Sequence, residues 1–359
     1  MTSQDIARRR LLSQRLIGSP LESARDAVEW LGAVQAQDYA GAKWGLGLRV
    51  SKSHDADIEQ AFTIGAILRT HALRPTWHFI APADIRWVLD LTGPRVHAAN
   101  APIYRKLGLD RTAFKRSNTT LRKTLQGGRQ LSRDELREAL RRNGVPVDED
   151  LRMAYLMMHA ELEGIVCSGP RRGKQFTYML LEERVPPGKS MARKDSLVEL
   201  ASRFFRSRGP ATAQDFAKWS GLTVADARSG LEGAASRLEC ETIEKKTYWL
   251  APTKDKTRRP ASPTAHLLSI YDEYVSGYKD RSAMITPAHA ARISAMGNAA
   301  TSILILDGRV AGTWKRRFVK GAVDVQFSLF RRLKTTERRA VTAAVERYGA
   351  YLQMDAVQE

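Results

Sequence analysis

Cysteine is almost missing: Cys167 and Cys240 are the two in 359 residues. Two thiols are too few for a disulfide framework or a zinc site. Long apolar runs are missing too; none approaches the roughly 18 residues of a membrane span. The opening Met1-Thr2-Ser3-Gln4-Asp5 leads into Arg8-Arg9-Arg10, and the apolar segment after it is too short and broken for a signal peptide. A cytoplasmic, nucleoid-associated protein is therefore expected. The seven His residues are scattered and form no evident ligand set, and no G-x-x-x-x-G-K-[ST] occurs. Neither a metal nor a cofactor is expected. Acidic side chains are in short supply, 39 against 58 Lys and Arg, which leaves a net charge of +19 and a pI near 10.1. Such an excess points to a polyanionic partner, above all nucleic acid. The hydrophobic fraction of 43% is that of an ordinary globular chain with ample core.

What is present is an order of elements used three times. In residues 1–81 a helix of about 4–17 precedes Ser19-Pro20-Leu21-Glu22, which reads as a capping box opening a second helix to Leu31. A third helix is predicted over 55–62. Ala66–His71 and Thr76–Ile80 read as strands around Arg74-Pro75. A helical spacer covers 82–116, with pieces beginning near Ala83-Asp84 and Pro94-Arg95. Residues 117–185 repeat the order, with Ser132-Arg133-Asp134-Glu135 as a capping box and a hairpin turning at Arg171-Arg172-Gly173-Lys174. Residues 191–252 repeat it again, with Thr212-Ala213-Gln214-Asp215 and Thr223-Val224-Ala225-Asp226 as caps. Helix, helix, helix, strand, strand is the order of a winged helix. Cys167 and Cys240 fall on matching first wing strands and read as small buried apolar residues.

Residues 252–263 read as a linker. In 264–359 short strands with tight turns, Asp307-Gly308 among them, suggest a small barrel or curled sheet, with a final helix that Thr335-Thr336-Glu337 caps. The expected fold class is α+β: three tandem winged-helix units followed by a small C-terminal β-barrel.

The first unit differs from the others. Its gap between the second and third helices is about twenty residues long, whereas the others are short turns. Long loops inside compact domains are commonly functional. This one holds Gln35 and Gln37. In extended backbone alternate residues share a face, so both carboxamides point the same way. Each offers a carbonyl acceptor and an NH₂ donor.

Four segments resemble the AlkZ-like DNA glycosylases, in the superfamily that includes YcaQ. Val34-Gln35-Ala36-Gln37-Asp38-Tyr39 resembles the family's catalytic Q-x-Q motif. Arg74–Phe79 resembles its first wing. Tyr271-Asp272-Glu273-Tyr274 with Gly277-Tyr278-Lys279-Asp280-Arg281 resembles the start of its barrel, and Asp307–Lys315 a barrel hairpin. The YcaQ branch has Asp at the motif's second position; Gln37 stands there in this chain and favours the AlkZ branch. The resemblance implies a C-shaped clamp on double-stranded DNA and excision of alkylated purines, in some members from bulky adducts or interstrand crosslinks. A monomer is expected, since one clamp needs no partner subunit.

The chemistry asks little of the catalytic pair. A purine alkylated at N7 is already cationic and leaves readily, so the protein needs to place water and to meet a positive sugar. Neutral carboxamides can place water through hydrogen bonds, although Gln is no strong base. Gln35 and Gln37 are the expected catalytic residues. Phosphate contacts are expected from Arg171, Arg172 and Lys174, from Lys279 and Arg281, and from Lys315, Arg316 and Arg317. Residues 309–339 carry ten Lys and Arg against Asp324 and Glu337. The alternatives are a non-catalytic winged-helix regulator, which gives the glutamine loop no task, and a damage-binding scaffold, which would bind lesions tightly and leave no abasic product.

Overall fold

The computed structural model describes residues 2–188, 191–252, 263–295 and 302–358. Helix α1 (Ser3–Ser13) opens on a capping box in which Thr2 and Asp5 bond reciprocally. Helix α2 (Ala24–Leu31) starts at Ser23, whose side chain accepts from Asp26 N–H. The expected box at residues 19–22 is therefore displaced. Leu21 instead lies extended and exchanges backbone bonds with the Arg49–Ser51 segment. Gly32 ends α2 at φ 75°, a conformation that favours glycine.

The long gap is itself structured. Strand β1 (Val34–Gln35) is followed by helix α3 (Tyr39–Gly47), with Asp38 as N-cap accepting from Gly41 N–H at 3.3 Å. Helix α4 (Asp55–Thr63) then leads to strands β2 (Leu68–Ala72) and β3 (Thr76–Ile80). The three strands form a sheet in the order β1-β3-β2.

The spacer is one helix, α5 (Ile85–Lys106), not two pieces. Pro94 and Pro102 lie inside its 22 residues. Each removes one donor, but the helix is held by a buried face that includes Trp87, Val88, Leu91 and Val96. Helices α6 (Arg111–Leu125), α7 (Arg133–Arg142) and α8 (Asp150–Leu162) follow. Strand β4 (Leu131–Ser132) joins β5 (Val166–Arg172) and β6 (Gln175–Leu180) in the order β4-β6-β5, and α9 (Leu181–Arg184) closes this part. Next come α10 (Arg193–Arg208), α11 (Ala213–Ser220) and α12 (Val224–Ala234), then the two-stranded sheet of β7 (Glu239–Ile243) and β8 (Lys246–Leu250). Cys167 is buried in β5, but Cys240 on β7 is exposed. The second matched thiol is thus not a core residue.

The interior 253–262 of the expected linker lies outside the described residues. Beyond it come β9 (Ala265–Leu268), α13 (Glu273–Ser276), α14 (Pro287–Ala295), β10 (Ile303–Leu306), β11 (Arg309–Val319), β12 (Ala322–Leu329), α15 (Thr335–Leu352) and β13 (Asp355–Gln358). Asp307 and Gly308 both have positive φ, 48° and 80°, as a two-residue hairpin turn requires. The five strands run β13-β12-β11-β10-β9. This is a curled sheet and, among the described residues, not a closed barrel. Strand β13 joins β12 in parallel, and α15 packs on both edge strands, β9 and β13. Val341, Ala344, Val345 and Tyr348 form the buried face of α15.

One apolar core runs through α2, the β1-β3-β2 sheet, α10, α11 and the C-terminal sheet. The α6–α8 helices with β5 and β6 have their own core around Leu121, Leu136, Leu140, Leu156 and Val166. Among the described residues, no helix is long and apolar enough to cross a membrane.

Candidate active site

Gln35 and Gln37 lie at the free edge of the β1-β3-β2 sheet. Gln35 stands opposite His78 in the antiparallel register, and Ala36 N–H donates to the Trp77 carbonyl at 2.7 Å. Strand β1 ends at Gln35, and Gln37 falls in the bend that leads into α3. Ala36 is fully buried, Gln35 is 9% exposed and Gln37 is exposed. The Gln35 carboxamide has no hydrogen-bond partner among the described residues. That of Gln37 accepts from Trp77 N–H at 3.4 Å, through Oε1.

The backbone between them is gripped from three sides. Glu273 Oε1 accepts from Gln35 N–H at 2.9 Å. Arg69 Nε donates to the Ala36 carbonyl at 3.1 Å. Its guanidinium lies 4.4 Å over both the Trp77 and the Phe176 rings. Burial pulls the Arg69 pKa down to about 10, still well above neutrality.

Glu273 in turn is fixed from the third helical group. Arg208 NH2 donates to its Oε2 at 2.6 Å and Trp219 Nε1 to the same atom at 3.0 Å. Arg208 also donates to the carbonyls of Leu31 at 2.7 Å and Ala33 at 3.0 Å. Both members of the ion pair are fully enclosed, at 0% and 1% exposure. Burial pushes the Glu273 pKa up, but Arg208 and the Gln35 N–H more than offset it, so it lies below the usual carboxylate range. Next to it, Asp272 forms a two-pronged pair with Arg49, both contacts 2.9 Å. Adjacent acids of the Tyr271–Tyr274 segment therefore tie the glutamine strand to the C-terminal part.

Cationic groups surround this edge. Arg74, on the turn after β2, and Lys218, on α11, both feel Glu273. Burial first, then Arg74 and Arg281, bring the Lys218 pKa down to about 8. Lys218 donates to the Ser276 carbonyl.

The expected phosphate contacts divide. Arg171 is not a free wing tip: it pairs with Glu59 at 3.3 Å and lies over the Tyr39 ring at 5.0 Å. Arg172 is paired with Glu135. Lys174, in the turn beyond, is exposed. Lys279 and Arg281 are exposed, and the backbone N–H groups of Lys279 and Asp280 are held by Asp215 at 2.8 and 2.9 Å. Lys315, Arg316 and Arg317 are consecutive on β11, so they alternate faces. Arg316 reaches the Tyr348 hydroxyl and Arg317 pairs with Asp324 at 3.2 Å, while Lys315 has no partner among the described residues.

The sequence marked His78 and Glu273 only as parts of family-like segments, gave Arg69 and Arg208 no task, and did not bring the four to this edge. Nothing in their spacing relates them, because the fold alone brings them together. It also hid a histidine grouping. His97, His159 and Glu163 place ligand atoms within 4.8 Å of one another, so the His residues are not all scattered in space. Packing accounts for them. His97 contacts Glu163 at 3.1 Å and the Tyr104 hydroxyl at 2.9 Å, and the His159 ring stacks on Phe114 with centroids 3.7 Å apart.

The family of AlkZ-like DNA glycosylases matches residues 28–351, nearly the whole chain and every element of this site. The chain belongs to that family. It is 25% identical, over 311 residues covering 82% of each chain, to the interstrand DNA cross-link repair glycosylase of Streptomyces sahachiroi. The solved structure of S. sahachiroi DNA glycosylase AlkZ superposes with a TM-score of 0.81, covering 100% of this chain and 99% of that one at 20% identity. At that identity the likeness speaks for a shared AlkZ-like fold.

Proposed function

We propose that the chain is a monofunctional DNA glycosylase. It hydrolyses the N-glycosidic bond of alkylated purines, N7-alkylguanine first, with bulky adducts or interstrand crosslinks as further substrates. Gln35 and Gln37 are its catalytic pair. The observation that carries the reading is the site's construction: two carboxamides two residues apart at a sheet edge, that of Gln35 unpartnered, on a backbone bonded by Glu273, Arg69 and the Trp77 carbonyl. A strand held this firmly presents its side chains with little freedom, which a water-placing pair requires. The name of the S. sahachiroi relative makes crosslinked DNA a substrate to test.

In this mechanism the C1′–N9 bond breaks with its electron pair going to the purine, whose positive charge is thereby neutralised. The Gln carbonyl oxygens face the oxocarbenium-like sugar and hold the water. Water oxygen adds to C1′ and the released proton passes to bulk solvent. No enzyme lysine attacks the sugar, so the product is an intact abasic site.

The three groups of helices, each followed by a hairpin, serve as winged-helix units of a clamp on duplex DNA, acting as a monomer. Arg74, Lys218 and Arg281 neutralise phosphates beside the lesion.

The test is incubation with duplex DNA bearing N7-methylguanine, then a bulky adduct, scoring free base and alkali-sensitive sites. Base release by the native chain, abolished in Gln35→Ala and Gln37→Ala together, is expected. Tight lesion binding with no abasic product would instead assign a damage-binding scaffold, and operator-specific binding a regulator.

A further inference from the structure

Behind Gln35 the same sheet face carries polar groups with nothing to bond. Gln35 stands opposite His78, and His78 opposite Thr70 on the next strand. Thr76, two residues from His78, shares their face. His78 Nε2 and the hydroxyls of Thr70 and Thr76 are closed to solvent and lack a hydrogen-bond partner. His78 and Thr70 are 0% exposed. An enclosed polar group left unpaired costs about 1–3 kcal/mol, and such groups in native proteins mark a function or a missing partner.

The His78 tautomer follows from its other nitrogen. Nδ1 lies 2.9 Å from the Thr76 carbonyl, which only accepts, so Nδ1 carries the proton. Nε2 is therefore a bare lone pair that needs a donor. Burial, with Arg74 nearby, lowers the His78 pKa to about 3, so the ring stays neutral. No side chain, the threonine hydroxyls and the Gln35 carboxamide included, bonds it in this structure.

Two neighbours have donors to offer: Arg74, whose Nε and NH2 are enclosed and unpaired, and Gln35, which stands directly opposite and bonds Nε2 after a rotation of its side chain. The Gln35 backbone N–H turns away from β3 toward Glu273. That marks Gln35 and His78 as the pair type without mutual backbone bonds, in which side chains stand closest, with Cβ atoms roughly 4.5–5.5 Å apart. A carboxamide has two faces and one acceptor-only neighbour decides between them. With NH₂ turned to His78, the carbonyl Oε1 faces outward, where it accepts from water and meets positive charge. The reverse orientation would present NH₂ to a cationic sugar.

We propose that His78 is a positioning residue: its Nε2 accepts a hydrogen bond from the Gln35 NH₂ and so turns Oε1 toward the reacting water. This rests on the glycosylase reading for its purpose, but not for its geometry. It yields a requirement that a packing role does not make, namely an acceptor at Nε2.

The experiment compares His78→Gln, which places an acceptor near that point, with His78→Leu, which fills space without one. Single-turnover base release from N7-methylguanine DNA and lesion-DNA Kd are measured for both. About a hundredfold loss of rate is expected for His78→Leu, at unchanged Kd, with most of it restored in His78→Gln. Equal rates in the two variants would overturn the proposal. A crystal structure of the native chain decides the contact whatever the activity. Gln35 Nε2 within hydrogen-bond distance of His78 Nε2 supports it, and Gln35 bonded elsewhere overturns it. Absence of base release by the native chain sinks the glycosylase reading and leaves the crystal contact to decide His78.

Discussion

Glu273 Oε1 accepts the backbone N–H of Gln35 at 2.9 Å, across 238 residues of chain. The other oxygen of the same carboxylate holds Arg208 and Trp219. One side chain thus joins the glutamine strand, α10, α11 and the C-terminal part. Removing it leaves the Arg208 charge buried without its partner, which costs about 3–5 kcal/mol for a pair this enclosed. Glu273→Ala is therefore expected to lower stability by that order. Glu273→Gln, which keeps acceptor and shape but not charge, should cost less. Chemical denaturation of both variants checks this; a Glu273→Ala loss under about 1 kcal/mol would contradict a paired role.

Gly47, at the end of α3, meets α15 without a side chain between them. A Cβ there would lie 2.4 Å from Tyr351 Cε2. Tyr351 cannot easily retreat. Its ring packs on Trp44 at 4.9 Å, and its hydroxyl donates to Asp55 at 3.2 Å. Gly47→Ala should cost about 1–3 kcal/mol through overpacking. Adding Tyr351→Leu should recover part of that loss, because the two changes meet at one contact. Thermal unfolding of the single and double variants reads the coupling; simple additivity would show that the crowding is relieved elsewhere.

Acid should destabilise the protein well before its carboxylates titrate. Burial lowers the pKa of His78 and of His159 to about 3. The folded rings refuse a proton that the unfolded chain accepts near pH 6.5. The stability they represent is complete above that value and is lost as pH falls toward 3. Urea midpoints should fall between pH 7.5 and 5. In His159→Leu the fall should be shallower, since one proton-linked group is gone. A midpoint that stays level over that range would mean the rings are not held neutral.

Much of the helical order was readable because its signals are local. The Ser132/Glu135 and Thr212/Asp215 boxes stand where the spacing put them. The Asp307-Gly308 turn was equally plain. Helix α3 was hidden because Gly41, Gly45 and Gly47 are poor helix formers. Close packing against Asp38, Ser269 and Tyr351 outweighs that propensity. Strand β1 is two residues long and has no period to show. Of the barrel or curled sheet that the short strands suggested, the described strands form the curled sheet, and β13, a terminal strand pairing in parallel, had no signal in the sequence. At the site, Gln35 and Gln37 were legible as a motif. Arg69, His78, Arg208 and Glu273 were not, since cross-strand register and buried ion pairs between distant segments leave no spacing in the chain.

Basic residues of the second hairpin that looked alike in sequence, Arg171 and Lys174, should behave differently on DNA. Lys174 is exposed in the turn between β5 and β6, and Lys315 is likewise unpaired among the described residues. Arg171 is held inward by Glu59 and Tyr39. A lysine that neutralises one phosphate releases about one condensed counterion, so its loss reduces the salt slope of binding by roughly 0.9. Lys174→Ala and Lys315→Ala should each weaken binding at low salt and flatten that slope. Arg171→Ala should leave the slope unchanged and lower stability, because it leaves Glu59 with one fewer partner and uncovers the Tyr39 ring. Fluorescence anisotropy on a labelled duplex, repeated across a salt series, separates the two. A flattened slope in Arg171→Ala with none in Lys174→Ala would place the phosphate track along the inner side of the hairpin instead of its tip.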